Sequence, residues 1–278
     1  MTHASGVTVS GSPSAEILLD ETVAVWRRHW VSLAVLGAAA APPAIAIALL
    51  AYPFFGTGVT DARDLVPLAL VAAVGGIWYA IVDAATMIAA RDARRGGAID
   101  RARALRDAWS CGAGIVLTSV VKLSCMVVPA VAIAGAIALA AVALIGARAT
   151  IPAVIVALPA GLFVAAYASC RLFALPATVL FDRLSSRAAI SRALALSRGN
   201  AWRIALAYAP IGIAYWVLCG AAGVVLMLAI HSARVALAAN AAVQVMLLPL
   251  LSVLATGLYD ELRDAIAALD VSPRRSGG

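Results

Sequence analysis

The sequence predicts an all-α integral membrane protein that crosses the bilayer about six times. Of its 278 residues, 64% are hydrophobic and only 13% are charged, and the mean hydropathy is +0.99. Soluble domains are about half apolar and about a quarter charged. The apolar residues form long runs without the alternation of membrane β-strands. Helices also satisfy their own backbone hydrogen bonds, as lipid requires.

Six apolar runs are long enough to span the membrane, because about 20 helical residues cross its ~30 Å hydrocarbon core. Run 113–146 would extend about 51 Å as a straight helix, so we expect interfacial residues at its start or a bend at Pro129. Proline occurs in or beside every run, either as a hinge or as ordinary membrane-helix proline. The runs cover residues 30–54, 65–90, 113–146, 151–180, 203–230 and 235–259.

The runs divide the chain into a membrane domain and two tails. Residues 1–15 are small, polar and rich in Gly and Ser, so we expect a disordered N-terminal tail. The six-span domain covers 16–264, and 265–278 is expected to be a flexible cytoplasmic tail. The first run exceeds the apolar core of a cleaved signal, which favours an uncleaved signal anchor.

Orientation follows from arginine counts in the connecting segments. The N-terminal segment, linkers 91–109 and 181–203, and the C-terminal segment contain two, six, five and three Arg, sixteen together. The alternate linkers contain only Arg63, Arg148 and Arg234. Cytoplasmic loops carry the excess of Lys and Arg, so both termini are expected in the cytoplasm.

The two basic linkers indicate an internal repeat. Residues 98–106 read AIDRARALR and 189–197 read AISRALALS, with six of nine positions identical. A tryptophan follows each, Trp109 and Trp202, and segment 15–30 has a similar layout. The alternative is chance similarity between Ala- and Arg-rich linkers. A threefold repeat of a surface helix followed by a helical hairpin is therefore possible on this pattern.

Helical spacing makes the linkers candidate amphipathic interfacial helices. Ala98, Ala102, Leu105 and Trp109 form one apolar stripe, and a basic helix ending in Trp suits the membrane interface. We expect its arginines, and those of the second linker, to bind anionic lipid headgroups. These candidates are Arg94, Arg95, Arg101, Arg103, Arg187, Arg192, Arg198 and Arg203.

Three ionisable residues lie inside apolar runs: Asp83, Lys122 and Arg171. Such residues are costly in lipid and are usually paired or functional. Their positions predict one layer in the cytoplasmic half of the membrane, with Asp83 close to Lys122 or Arg171. The layer could be an ion, proton or anionic-lipid site, or a buried ion pair that fixes helix register.

The sequence argues against catalysis and against bound cofactors. Its three histidines are scattered, and no HExxH, Ser/His/Asp or Walker pattern occurs. Its four cysteines form no CxxC pair, so we expect no metal site. We also expect no cofactor and no nucleic-acid partner, because the basic residues flank apolar runs.

Several segments near the second basic linker and at the C-terminal end form a recognisable pattern. They are Arg171–Pro176 (RLFALP), 189–194 (AISRAL), 196–199 (LSRG), Trp202-Arg203 and 258–263 (LYDELR). Together they resemble the membrane domain of the glycerophosphoryl diester phosphodiesterase family and related six-span bacterial proteins of unknown function. Asp182 stands where that pattern usually has Glu, and Ala193 where it usually has Ser. The resemblance implies six spans in a bacterial cytoplasmic (inner) membrane and no catalytic residues here, since the family's phosphodiesterase activity belongs to a separate soluble domain.

Two functions follow as expectations. The first is a non-catalytic membrane module that organises lipid or a partner protein at the cytoplasmic face. The alternative is a transporter-like protein that moves a small or lipidic solute past Asp83, Lys122 and Arg171. A continuous polar cavity would favour transport, whereas a dry, packed bundle would favour the module.

Overall fold

A computed structural model describes residues 15–56, 65–145 and 150–271, and helices make up nearly all of them. No strand occurs in these three ranges, so the all-α prediction is confirmed for them. The helices are α1 (Ala15–Ala38), α2 (Ala41–Gly56), α3 (Leu65–Arg94), α4 (Arg101–Ser110), α5 (Gly112–Ile145), α6 (Thr150–Arg171), α7 (Leu175–Phe181), α8 (Ser186–Ser197), α9 (Ala201–Ala229), α10 (Ala233–Leu247) and α11 (Pro249–Val271).

Within the three described ranges, five helical stretches are long and apolar enough to cross a membrane, and a bent pair, α1 with α2, makes six if it is one span. This agrees with the predicted number of about six. The five stretches are Val66–Arg94, Gly112–Ala141, Ile155–Phe181, Ala201–Ala229 and Ala233–Ala267.

The chain divides into two compact units. The predicted six-span membrane domain over 16–264 stays a prediction. Unit 1 is Leu117–Ala205, which contains most of α5 together with α6, α7 and α8. Unit 2 contains the described residues of 15–116 and 206–271, and in it α1, α3, α10 and α11 pack together with α2.

The first predicted run, 30–54, is broken inside unit 2. Helix α1 ends at Ala38 and α2 begins at Ala41, with a bend of 54° between them. Pro42 and Pro43 occupy the first turn of α2, where a missing N–H is tolerated, but they could not continue α1. These prolines therefore act as a break.

A local interruption lies between α10 and α11, inside the predicted run 235–259, although Ala233–Ala267 continues as one span. Pro249 begins α11, and the Leu248 N–H still bonds the Gln244 carbonyl as the last turn of α10. Proline has no N–H for the carbonyl four residues before it, here that of Val245. The ladder of backbone hydrogen bonds is therefore interrupted at this point.

Unit 1 contains the long run 113–146 as one helix. Helix α5 continues through Pro129, so the proline is internal to the helix and does not end it. Helix α6 approaches α5 closely at Gly161, where an added Cβ would lie 3.0 Å from the Ala130 carbonyl oxygen. Small residues thus bring the two backbones together, as is usual where lipid offers no hydrophobic drive.

Glycines end α3 and turn the chain into α4. The Gly97 N–H bonds the Asp92 carbonyl at 2.9 Å and the Gly96 N–H bonds the Ala93 carbonyl at 3.1 Å. Gly96 has a φ of 77°, so this is a Schellman termination. The Asp100 carboxylate then caps α4 by accepting from the Arg103 N–H at 3.0 Å.

The predicted repeat and tails are only partly covered. Residues 98–100 precede α4, whereas 189–191 lie within α8, so the matched letters occupy different helical positions. The threefold repeat stays a prediction. Residues 1–14 lie outside the described ranges, and α11 continues to Val271, seven residues into the segment predicted as a flexible tail.

Candidate functional site in the membrane helices

Asp83 lines a small cavity in unit 2 whose wall is mostly apolar. Its carboxylate accepts a 2.6 Å hydrogen bond from the Ser252 hydroxyl; Ser252 is buried and Asp83 is half-buried. The cavity measures about 10 Å³, close to the space of a single water molecule. Its lining residues are Gly37, Ala40, Tyr79, Val82, Asp83, Thr86, Val245, Leu248, Pro249 and Ser252.

The break between α1 and α2 and the proline interruption between α10 and α11 both lie at this cavity. Gly37, near the end of α1, passes so close to α10 that an added Cβ would lie 2.5 Å from the Val245 carbonyl oxygen. On the α3 side, the Trp78 indole N–H donates to the Ala39 carbonyl at 2.7 Å, inside the first break. The cavity therefore lies where α1 and α10 end and α11 begins.

Lys122 and Arg171, the two predicted intramembrane cations, lie in unit 1. Arg171 is the last residue of α6, and its guanidinium donates to the Ser197 carbonyl at the end of α8, at 3.4 Å. Lys122 is half-buried on α5 and interacts electrostatically with Cys170, next to Arg171 in α6. A cation is favourable at a helix C-terminus because it complements the negative end of the helix dipole. Arg171 therefore stabilises the ends of α6 and α8.

The predicted pairing of Asp83 with Lys122 or Arg171 stays a prediction. What the structure adds is Ser252, a partner of Asp83 that lies 169 residues away in the sequence. A serine in an apolar run gives little signal, and only the proline three residues before it indicated an irregularity.

Two ion pairs join three helices at one end of unit 2. Arg91 of α3 contacts Asp260 of α11 at 2.7 Å, with side chains 12% and 24% exposed. Arg94 of α3 contacts Glu21 of α1 at 2.8 Å, and a second Arg94 nitrogen, Nη1, is buried without a hydrogen-bond partner in the described structure. Arg94, predicted to contact lipid headgroups, is therefore turned inward.

The α4 face that packs on α3 carries Ala104 and Ala108, which are both buried. Ala102 and Trp109 of the predicted stripe are exposed, and Ala98 precedes the helix. Three α4 arginines share the exposed side with Trp109, which is 64% exposed. They are Arg101, Arg103 and Arg106, and Arg95 is also exposed.

In unit 1, α8 packs its small apolar residues on α7 and α6. Ala189, Ala193 and Leu196 are fully buried. Arg187 and Arg198 are exposed, as is Trp202, at 75%. The two remaining headgroup candidates, Arg192 and Arg203, are half-buried.

A larger groove of about 370 Å³ lies between α9 and α10 of unit 2. Most of its lining is apolar or glycine, and Asn240 is the polar side chain among the lining residues. The Asn240 Oδ1 atom is buried and has no hydrogen-bond partner in the described structure. Neither this groove nor the Asp83 cavity is a polar channel.

The residues that carry the family resemblance are mostly packing residues. From Leu172 to Leu180 every residue is buried, which covers the turn after α6 and most of α7. Tyr259 is fully buried, next to Asp260 with its ion pair. No family model, curated protein or solved structure matches the chain. The resemblance to the phosphodiesterase-associated membrane domains stays a prediction.

Proposed function

We propose that the protein is a non-catalytic membrane module that binds anionic lipid headgroups at the cytoplasmic face of a bacterial inner membrane. The proposal rests on one observation: exposed arginines and an exposed tryptophan lie together on α4, and again on α8 and just after it. The family resemblance, with its six spans in a bacterial cytoplasmic membrane, belongs to the same proposal, as does the cytoplasmic location of both termini expected from the arginine counts.

Lipid is favoured because each basic surface pairs its arginines with an exposed tryptophan. Trp109 lies one helical turn from Arg106 on α4, and Trp202 follows Arg198 closely. Tryptophan prefers the headgroup level of a bilayer, and each basic residue near an anionic surface contributes about 1 kcal/mol. A protein partner on the same surfaces is the alternative occupant.

The test is lipid retention by the full-length protein in detergent, measured by native mass spectrometry. We expect phosphatidylglycerol to bind more tightly than phosphatidylcholine, and salt to weaken the difference. The double variants Arg101→Gln/Arg106→Gln and Arg187→Gln/Arg198→Gln should each weaken binding at their own surface about thirtyfold, from two lost contributions of about 1 kcal/mol.

Arg234→Gln is the control, because this exposed arginine belongs to a linker predicted to face outward and lies 5.0 Å from the centre of the Tyr52 ring. It should leave retention unchanged. Equal retention of neutral and anionic lipid, or equal weakening by the control, would reject the lipid proposal. Selective capture of one protein by the arginine surfaces, without lipid selectivity, would favour the partner alternative.

A transporter-like function is the second candidate, and the Asp83 cavity favours it. Broken membrane helices commonly hold the solute and ion sites of secondary transporters, and the break between α1 and α2 lies at the cavity that Asp83 lines. The test is a solute-uptake screen with proteoliposomes of the wild-type protein and Asp83→Asn. Uptake that the variant abolishes would support this candidate, and the absence of uptake across the screen would count against it.

A further inference from the structure

We infer that the groove between α9 and α10 of unit 2 is the contact surface of a homodimer, in which Asn240 meets the same residue of a second copy. The inference goes beyond the proposed lipid binding, because α4 and α8 take no part in it. It rests on the apolar lining of the groove, on the unpaired amide oxygen of Asn240, and on the single orientation that all copies share in a membrane.

Asn240 lies midway along an otherwise apolar groove. Across from it, an added Cβ on Gly223 would lie 3.3 Å from the Asn240 Nδ2 atom and 3.4 Å from Oδ1. On α9 the groove extends about one helical turn to either side of Gly223, from Cys219 to Leu228. None of its described lining residues carries a formal charge. The groove therefore suits an apolar occupant with one neutral polar group near its middle.

The Asn240 amide needs a hydrogen-bonding partner. Its Oδ1 atom is buried and has no partner among the described residues, and an unpaired amide in an apolar medium is costly. A half-turn about the broad χ2 torsion exchanges Oδ1 with the donor Nδ2. An acyl chain offers neither a donor nor an acceptor along its length. A transmembrane helix with a polar side chain at this depth can offer both.

A second copy of the chain presents a matching group at the matching depth. All copies insert with one orientation, because the same arginine bias directs each of them. A two-fold axis along the membrane normal then places every residue at the same depth as its counterpart. A carboxamide has donor and acceptor atoms, so two Asn240 side chains are complementary to each other.

Small and exposed residues allow the two copies to approach. A Cβ added to Gly220 would meet no atom within 4 Å, and Val224 and Leu228 are 61% and 81% exposed. Small residues at a membrane-helix interface let backbones come close, and polar side chains bond across it. A second copy would cover this side of α9 while pairing both amides.

The test is association of the full-length protein in liposomes of phosphatidylethanolamine and phosphatidylglycerol. Donor and acceptor fluorescent proteins fused to the C-terminus report energy transfer at increasing lipid dilution, and we expect a monomer–dimer equilibrium. Asn240→Leu keeps the side-chain size and should weaken association about tenfold, as the loss of two interhelical hydrogen bonds implies. Gly220→Leu, which fills the groove, should weaken it further.

Each variant has a matched control. Gln244→Leu removes an amide one turn along α10, where the Tyr215 hydroxyl of the same chain bonds the Gln244 carbonyl at 3.3 Å. Ala221→Leu adds bulk at the residue after Gly220, which is exposed but is not among the lining residues of the groove. Both controls should associate like the wild type.

Disulfide cross-linking locates the contact. In a chain whose four native cysteines are replaced by alanine, Asn240→Cys should give a covalent dimer on oxidation of the membranes, because residue 240 meets its counterpart. Leu218→Cys, at an exposed position of α9 outside the groove, should stay monomeric.

Wild-type protein that is monomeric at every lipid dilution would overturn the inference and leave the groove to lipid. Equal association of the wild type and Asn240→Leu, or equal weakening by the controls, would also overturn it. So would cross-linking through Leu218→Cys instead of Asn240→Cys. If Asn240→Leu does not fold, the wild-type equilibrium and the comparison of Gly220→Leu with Ala221→Leu decide.

Discussion

The ion pair between Arg91 and Asp260 allows a quantitative prediction for Asp260→Ala. The pair is 2.7 Å long and its side chains are 12% and 24% exposed. Removing the carboxylate leaves a mostly buried guanidinium without this partner. Breaking a buried pair costs about 3–5 kcal/mol and a hydrogen bond to a charged group about 1.5–3. Because both side chains remain partly exposed to solvent, we expect a cost at the lower end of these ranges. Asp260→Ala should lower the free energy of unfolding by about 2 kcal/mol.

Two comparison variants make this prediction specific. Glu21→Ala breaks the Arg94 pair, but Glu21 is 55% exposed, so water already screens that interaction and we expect a loss below about 1 kcal/mol. Asp264→Ala removes an exposed carboxylate from the same helix, α11, and should change stability by less than about 0.5 kcal/mol.

The assay is unfolding in mixed micelles with increasing SDS, followed by far-ultraviolet circular dichroism. Replacing both partners, Arg91→Met with Asp260→Leu, should recover most of the loss, because no buried charge is then left alone. The reasoning is wrong if Asp260→Ala costs no more than Glu21→Ala, or if the double variant is as unstable as the single one.

Two further predictions concern packing and topology. Gly37→Ala should cost about 2–3 kcal/mol in the same unfolding assay, because its Cβ would lie 2.5 Å from the Val245 oxygen. Gly76→Ala meets open space and should be neutral or stabilising by up to about 1 kcal/mol; equal costs would refute the packing argument. Fluorescent-protein and alkaline-phosphatase fusions after Arg187 and Arg234 should report cytoplasmic and external locations. Phosphatase activity at Arg187 would refute the orientation.

The membrane character of the chain could be predicted from sequence because it depends on the length and composition of local runs. The break in the first apolar run was harder to predict from the sequence. Pro42 and Pro43 are visible in the sequence, but a proline in a membrane helix can be internal, as Pro129 is, or can begin a new helix. Which outcome occurs depends on whether neighbouring helices satisfy the freed carbonyls.

Side-chain partners were harder to predict because they join residues far apart in the chain. Ser252 and Asp83 are 169 residues apart, as are Asp260 and Arg91. The inward turn of Arg94 depends on Glu21 of another helix. On α4 the sequence could not identify the packed face, because alanines occupy several sides of the helix and α3 contacts the one with Ala104 and Ala108.

The close approaches at two glycines also constrain how this sequence can diverge. Gly37 fits against Pro249, and a Cβ on Gly257 would lie 2.5 Å from the Arg94 guanidinium. Lipid-facing positions can exchange Ala, Val and Leu at little cost, so overall identity would fade quickly among descendants of a common ancestor. A side chain at either glycine would require these distant neighbours to shift. Remote relatives should therefore be recognised by joint retention of Gly37 with Pro249 and of Gly257 with Arg94, even where overall identity is low.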